Sequence, residues 1–494
     1  MTAVHALSAA AASLAVHLTL CAAVLFAVFR VDDLAFNLLF WFHALRRKYR
    51  FKVLKYPKFT IERLRSLPQK RAAIFVPCWH EADVVEQMLE CAKQRIDYEN
   101  YDIFVGVYPN DPQTVAAVES AQARYPRVRM VINDKPGPTT KAQNLNCMYR
   151  ALLEHEGAEP YEIVVLHDVE DVIHPWSLHV YNYLVPASDM VQLPVLPLER
   201  EWYRFVAWTY GDEFAQNHMK DMVLREAMGS FVPSAGVGCA FSRVGLAKLQ
   251  RRQGDALFPE GSLTEDYQTA LRMHECGLRT IFVLQRLCAA RRGEPKTADA
   301  YIATRAYFPD TFWTAVKQKT RWVAGISLQS WKAIGWTGDW ATRYTLYRDR
   351  KSTAGNVIPL FGYAAFLFAA AVAALHAAAP DVFAAIPTDF SPAVRALLLF
   401  VLAMTLADLL QTAALITWVY GPLHGFLCVL RAPVGACING VATVRALVAF
   451  FRSLATGTPM TWSKTAHAFP THLPLHVAGM GGMAPPDPEI AEAC

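Results

Sequence analysis

The apolar positions of this chain fall into regions with different periods. Residues 8–29 are almost uniformly apolar, with His17 the only strong polar interruption. At about 1.5 Å per residue, a helix over them measures roughly 30 Å, the thickness of a bilayer's hydrocarbon core. The stretch lacks the basic flank of a signal peptide and is long for one, so it reads as a retained span. Residues 31–45 are amphipathic and rich in aromatic side chains. Two further spans, 356–378 and 396–420, flank a Pro-containing acidic stretch at 380–392. Residues 432–454 are apolar but interrupted by Pro433, Asn439, Arg445 and Arg452, the pattern of an interfacial or re-entrant segment. The expectation is three spans and two interfacial helices. Asp408 falls inside a span, where an acid faces protein or water. An interhelical hydrogen bond is expected for it, with a place on a glycan path as the alternative.

Between about 70 and 330 the pattern changes to short apolar runs, each followed by a helical period. The runs are 72–76, 103–107, 128–132 and 163–166, and Arg129 makes the third the least apolar. That alternation predicts an α/β domain with a parallel, doubly wound sheet, whose sites lie at the carboxyl ends of its strands.

Charge orients these elements. Arg46, Arg47, Lys48, Arg50, Lys52, Lys55 and Lys58 follow the first span; Arg343, Arg348, Arg350 and Lys351 precede the second, and Arg431 follows the third. By the positive-inside rule these ends, and the domain between them, face the cytoplasm. A basic run just after a span suits anionic lipid headgroups rather than nucleic acid. The ten cysteines include no C-x-x-C pair, which argues against zinc and a disulfide framework and fits a reduced compartment. The tail from Ala478 is rich in Gly, Met and Pro and is expected to be poorly ordered. The expected division is 1–58 (span and basic segment), 59–335 (cytoplasmic domain), 336–470 (interfacial and transmembrane helices) and 471–494 (flexible tail).

Candidate chemistry collects at the strand ends. Pro77-Cys78-Trp79-His80-Glu81 follows the first run, Asn110-Asp111-Pro112 the second, and His167-Asp168-Val169-Glu170-Asp171 the fourth. Acids converging on one sheet edge repel unless a cation or nucleotide hydroxyls occupy the space. Asp168 and Glu170 can hold one Mg²⁺ or Mn²⁺ through oxygen while leaving positions for a diphosphate, and Asp171 competes with Glu170 as second ligand. Lys141, opening a helix after a Pro- and Gly-containing loop, suits a phosphate through its charge and the free N–H groups beside it. Thr264-Glu265-Asp266 opens another helix, where an acid either caps or serves as a general base. Gln318-Lys319-Thr320-Arg321-Trp322 puts an amide and an aromatic one turn apart with a cation beside them. Such a group can hold a sugar against a phosphate; a half-buried helix packing a Trp is the plain alternative.

In this order the motifs resemble those of the family 2 inverting glycosyltransferases, especially the processive membrane synthases such as cellulose and hyaluronan synthases. The runs at 168–175 and 462–470 look like a subgroup of inner-membrane glycan synthases. The metal motif departs from the family's, reading Asp-x-Glu rather than Asp-x-Asp, and no cyclic-di-GMP-binding extension follows the last apolar region. The resemblance implies a GT-A fold at the cytoplasmic face of a bacterial inner membrane and hexosyl transfer from a UDP-sugar. In it, Pro77, Glu81 and Asp111 flank the nucleoside, Lys141 and Asp168 line the diphosphate, and Glu170 completes an Mg²⁺ or Mn²⁺ site. Asp266, beside Glu265, is the base; Arg321 contacts the diphosphate, and Gln318 and Trp322 hold the acceptor. The implied product is a growing exopolysaccharide, with an outer-membrane export partner or a second copy of the chain left open. Single-sugar transfer to a lipid-linked acceptor and a non-catalytic scaffold are the competing readings.

Overall fold

The computed structural model describes residues 2–54, 61–254, 256–286, 298–458, 460 and 469–470 of the 494. The four apolar runs form strands β1 (Ala72–Pro77), β2 (Tyr101–Val107), β3 (Val128–Ile132) and β4 (Ile163–Leu166). Alternate residues of β1, β2 and β4 feed two separate cores. Ile74, Val76, Ile103, Val105, Ile163 and Val165 enter one; Ala73, Phe75, Phe104, Val164 and Leu166 enter the other. Both faces are therefore dry, which is why these strands read as continuous apolar runs. Each of the Val, Ile, Leu and Phe side chains contributes about 1.5–3 kcal/mol by its burial. Arg129 is accommodated because β3 is an edge strand, and its guanidinium lies 3.4 Å from Asp102.

The sheet is larger than the runs indicate, and it is mixed. Its order is β3-β2-β1-β4-β6-β5-β7, adding β5 (Met190–Gln192), β6 (Cys239–Ser242) and β7 (Thr280–Phe282). β6 runs antiparallel to both β4 and β5. The fully parallel arrangement expected from the alternation is thus corrected. β5 and β7, of three residues each, carry too little period to register in sequence, and β6 reads Cys-Ala-Phe-Ser rather than as an all-apolar run like the equally short β4.

The apolar helices also differ from expectation. The first is unbroken from Thr2 to Leu54, so the span, the amphipathic stretch and the basic residues up to Lys52 share one helix; Lys55 and Lys58 lie outside the described residues. Pro422–Thr456 is likewise continuous despite Pro433. Among the described residues four helical stretches, not three, are long and apolar enough to cross a membrane: Ala3–Val53, Trp340–Ala378, Pro392–Tyr420 and Pro422–Thr456. Of the polar residues that suggested a break in the last, Asn439 is used in packing and donates to Glu213 at 2.7 Å, whereas Arg445 and Arg452 are exposed. Arg431 of the same helix is fully buried and forks onto Asp212 at 2.9 and 2.6 Å. Asp408 is paired with Arg30 and accepts from Asn37 at 3.1 Å, the interhelical bonding expected of it. Arg348 and Lys351 are held by Asp32 and Asp33 of the first helix.

Cutting Arg431 to Ala would leave the Asp212 carboxylate buried without its counter-charge, a loss of about 3–5 kcal/mol. A marked fall in melting temperature of the detergent-solubilised protein is expected, with Arg431→Met/Asp212→Leu recovering most of it. An unchanged melting temperature in the single variant would show that the pair does not hold this helix.

Candidate active site

Every residue singled out for donor, metal, base or acceptor chemistry, except Asp111, lines one cavity of about 880 Å³ at the carboxyl edge of β1 and β4. That size is toward the upper end of the ~300–1,000 Å³ of ligand pockets.

Pro77 closes β1, and the chain then turns sharply through His80, whose φ of 54° is the left-handed conformation few non-glycine residues adopt. The turn delivers Glu81, 5% exposed, to the cavity wall. Asp111 sits behind this turn. It caps the helix Pro112–Arg124 by accepting from Thr114 N, and its other oxygen accepts from His80 N at 2.6 Å. Burial alone would raise its pKa, but these hydrogen bonds outweigh that and hold it below the ordinary value. Asp111 therefore shapes the turn that carries Glu81.

Lys141 opens the helix Lys141–His155, capped by Thr140. Its Nζ donates to Asp168 Oδ1 at 2.5 Å and to the Gly236 carbonyl at 3.2 Å. Burial disfavours the ammonium, yet Asp168, Glu265 and Asp266 together keep its pKa above the usual lysine value. Asp168 and Glu170 follow β4 and share the cavity wall. Asp171, the competing ligand, is 3% exposed, and its Oδ2 takes His167 Nδ1 and the Asp168 amide, each at 2.9 Å. Among the described residues no group of three His, Cys, Asp or Glu is placed to hold a metal unaided. Asp168 and Glu170 still fit a hard cation, as a two-oxygen set that phosphate oxygens would have to complete.

Glu265 and Asp266 form the first turn of the helix Glu265–Glu275. Burial raises both carboxyls; for Glu265 the neighbouring Asp266 charge adds to this, against Lys141 and Arg321, and its pKa reaches about 7. Gly236, at φ 75°, approaches Asp266 so closely that a Cβ there would lie 2.6 Å from Oδ2. The Gln-x-x-Arg-Trp run ends the helix Phe312–Trp322 and continues into π-type turns over Val323–Gln329. Those turns dock this motif onto the other. A Cβ on Gly325 would lie 2.5 Å from Thr264 Oγ1, and Gln329 Oε1 accepts from Leu263 N at 2.9 Å. Neither Gly325 nor Gln329 carried a sequence signal beyond lying just after the motif. Trp322 lines the cavity and also packs edge-on against Tyr210 at 5.9 Å, so the plain packing reading describes part of its surface. Trp79, not singled out in sequence, lines the cavity with its ring 4.9 Å from Tyr108.

The sequence profile described as "Glycosyltransferase like family 2" matches residues 68–325, just over half of the chain and the whole of this cavity's α/β frame. The chain belongs to that family. It is 38% identical over 464 residues to bacteriophage adsorption protein B of Escherichia coli K12, covering 91% of this chain and 61% of the relative; the corresponding protein of E. coli O157:H7 matches equally. The chain thus spans about three-fifths of the length of these curated relatives. Among solved structures, a mannosyltransferase of Pyrobaculum calidifontis in complex with GDP-mannose and Mn²⁺ aligns at a TM-score of 0.49 and 18% identity, over 86% of this chain and 99% of that one. The mixed seven-stranded sheet with its flanking helices is the GT-A architecture expected of this family, joined here to helices of membrane-spanning length. Of the subgroup runs, 168–175 lies at the site, whereas 462–468 falls outside the described residues, as does the tail from Ala478.

The raised Glu265 carboxyl gives a test without substrate. The unfolded chain loses this proton near pH 4.5 and the folded protein near pH 7, so the group's contribution to stability falls as pH rises through that window. Glu265→Gln should gain in melting temperature relative to wild type from about pH 5 to about pH 7, without added nucleotide or metal. A difference independent of pH would mean that Glu265 titrates normally.

Proposed function

We propose that this protein transfers a hexosyl group, with inversion, from a UDP-sugar to a growing exopolysaccharide at the cytoplasmic face of a bacterial inner membrane, within a transferase domain spanning 59–335. The observation that carries the proposal is that Lys141, Asp168, Glu170, Asp266 and Arg321 all line one cavity, with Lys141 bonded to Asp168 and to the carbonyl of Gly236, which lies against Asp266. Pro77 and Glu81 would border the nucleoside, with Asp111 setting their turn.

Asp168, Glu170, Glu265 and Asp266 outnumber Lys141 and Arg321 there, so a diphosphate entering alone would add to an uncompensated negative charge. Asp168 and Glu170 would hold Mg²⁺ or Mn²⁺, which when bound supplies the charge neutralisation a leaving UDP needs. Lys141, kept protonated by its neighbours, and Arg321 then face the phosphates as fixed donors. Asp266 takes the proton of the acceptor hydroxyl as that oxygen attacks the anomeric carbon, on the side opposite the departing phosphate. One displacement converts an α-linked donor into a β-glycoside. Gln318, whose Oε1 is buried without a hydrogen-bond partner among the described residues, and the exposed part of Trp322 orient the acceptor.

A second reading has its own support. Four apolar helices leave little wall for a polymer channel unless a second copy or an outer-membrane partner completes it. That favours single transfer to a lipid-linked acceptor, and product length on a gel separates the two.

The deciding assay is UDP release from a panel of UDP-sugars with Mg²⁺ or Mn²⁺, alongside Asp266→Asn. That variant should bind donor as wild type does while transfer falls about 10²–10⁴-fold. Normal turnover by it removes Asp266 as base. Silence of the wild type with every donor argues for the non-catalytic scaffold.

A further inference from the structure

Asp349 belongs to none of the motifs, yet several elements converge on it. Its Oδ2 accepts Tyr267 Oη at 2.6 Å and Arg225 Nη1 at 3.1 Å, and Arg225 Nη2 takes Oδ1. The carboxylate and guanidinium are 13% and 9% exposed. Ser327, in the π-type turns after the Gln-x-x-Arg-Trp run, donates to the Asp349 carbonyl at 2.8 Å. Tyr267 directly follows Asp266, and its amide donates to Asp266 Oδ1 at 2.8 Å. The residue that Asp349 grips by its hydroxyl thus grips the candidate base by its backbone.

The neighbours of Asp349 face the other way. On the same helix, Trp340–Gly355, Arg348 Nη1 lies 3.0 Å from both Asp32 and Asp33. Lys351 Nζ donates to Asp33 and to the Phe29 carbonyl, at 3.0 and 2.8 Å. One turn of helix therefore holds Tyr267 on one side and the long N-terminal helix on the other.

We propose that Asp349 is a positioning residue for the transfer reaction. With Arg225 it fixes Tyr267, and so the direction of the Asp266 carboxylate; through Arg348 and Lys351 it ties that direction to the N-terminal helix. The inference rests on the assignment of Asp266 as base. The physical ground is directional. A carboxylate forked onto a buried guanidinium has little freedom to rotate, and a hydroxyl bonded to it at 2.6 Å is a strong, oriented contact. Packing alone would act differently. Phe231, Leu271 and Leu346 surround the Tyr267 ring and would retain it without the hydroxyl, but they do not fix its register along the helix axis.

The test uses the full chain in nanodiscs with two gentle substitutions. Tyr267→Phe keeps the ring and removes one hydroxyl; Asp349→Asn keeps an acceptor and removes the charge. Each should lower kcat for transfer about tenfold while donor KM stays within about twofold, and the double variant should be no slower than the worse single, because both break one unit. Amide hydrogen exchange over 264–268 should rise in both variants and stay unchanged over 72–77. Additive losses, KM rising in step with the fall in kcat, or unchanged exchange over 264–268 would overturn the proposal. If the wild type turns over no donor but exchange over 264–268 still rises, the transferase reading fails while the anchoring of Asp266 through Asp349 stands. Asp32→Asn/Asp33→Asn should raise exchange over the same segment; no change there removes the N-terminal helix from the linkage.

Discussion

Lys141 Nζ reaches Asp168 at 2.5 Å and the Gly236 carbonyl at 3.2 Å, with Glu265 and Asp266 close enough to raise its proton affinity. Three chain segments far apart in sequence meet around this ammonium: the end of β4, the loop before β6 and the first turn of the Glu265 helix. Without it, carboxylates would face one another across a cavity that, in the proposed reaction, also has to admit an anionic donor. Burial raises the carboxyls of Glu265 and Asp266 in spite of Lys141 and Arg321, so the compensation is incomplete. A site so balanced is poised to take up positive charge, which in the proposed reaction would let a nucleotide diphosphate and its cation be accommodated together.

The antiparallel course of β6 is what makes this geometry available. A strand parallel to β4 would present the loop that follows it at the carboxyl edge; an antiparallel strand presents the loop that precedes it. Gly238 donates to the Leu166 carbonyl at 2.9 Å, so the segment 234–238 lies against the end of β4, beside Lys141 and Asp266. Gly236 and Gly238 both have positive φ there, and side chains at either would collide with Asp266 or Thr304. The closeness of backbone to acid is thus a property of topology and of two glycines together.

Much of this was legible in the chain and some was not, for identifiable reasons. β1, β2 and β4 declare themselves because both their faces are dry, and the strand-end acids because their residue types are costly to bury without a purpose. β5 and β7 are too short to show a period, and β6 lacks the unbroken apolar run of the equally short β4. Asp171 and Asp111 illustrate a second limit: sequence marks an acid at a strand end but cannot say whether a backbone amide or a ligand claims it. Here His167 and the Asp168 amide take the first, and Thr114 and His80 the second. Gly325 and Gln329 were illegible because their partners lie some sixty residues away.

Charge beside the apolar helices shows the same limit in another form. Arg348 and Lys351 precede a span and count as evidence of sidedness, yet both are paired with Asp32 and Asp33 rather than set free toward lipid headgroups. Arg431 follows a span and is wholly buried against Asp212. By their geometry, Arg348 and Lys351 therefore also fasten their helix to the first one, and Arg431 fastens its own to the α/β domain. A flanking cation that is buried and paired cannot be exchanged for any other cation, because Lys and Arg present different donor shapes to the fixed carboxylate. The junction between domain and helices thus combines apolar seams, such as Trp208, Ala215 and Met219 against Leu415, Ile416 and Val419, which tolerate exchange for residues of similar size, with an oriented ion pair, Arg431–Asp212, that is sensitive to a single substitution.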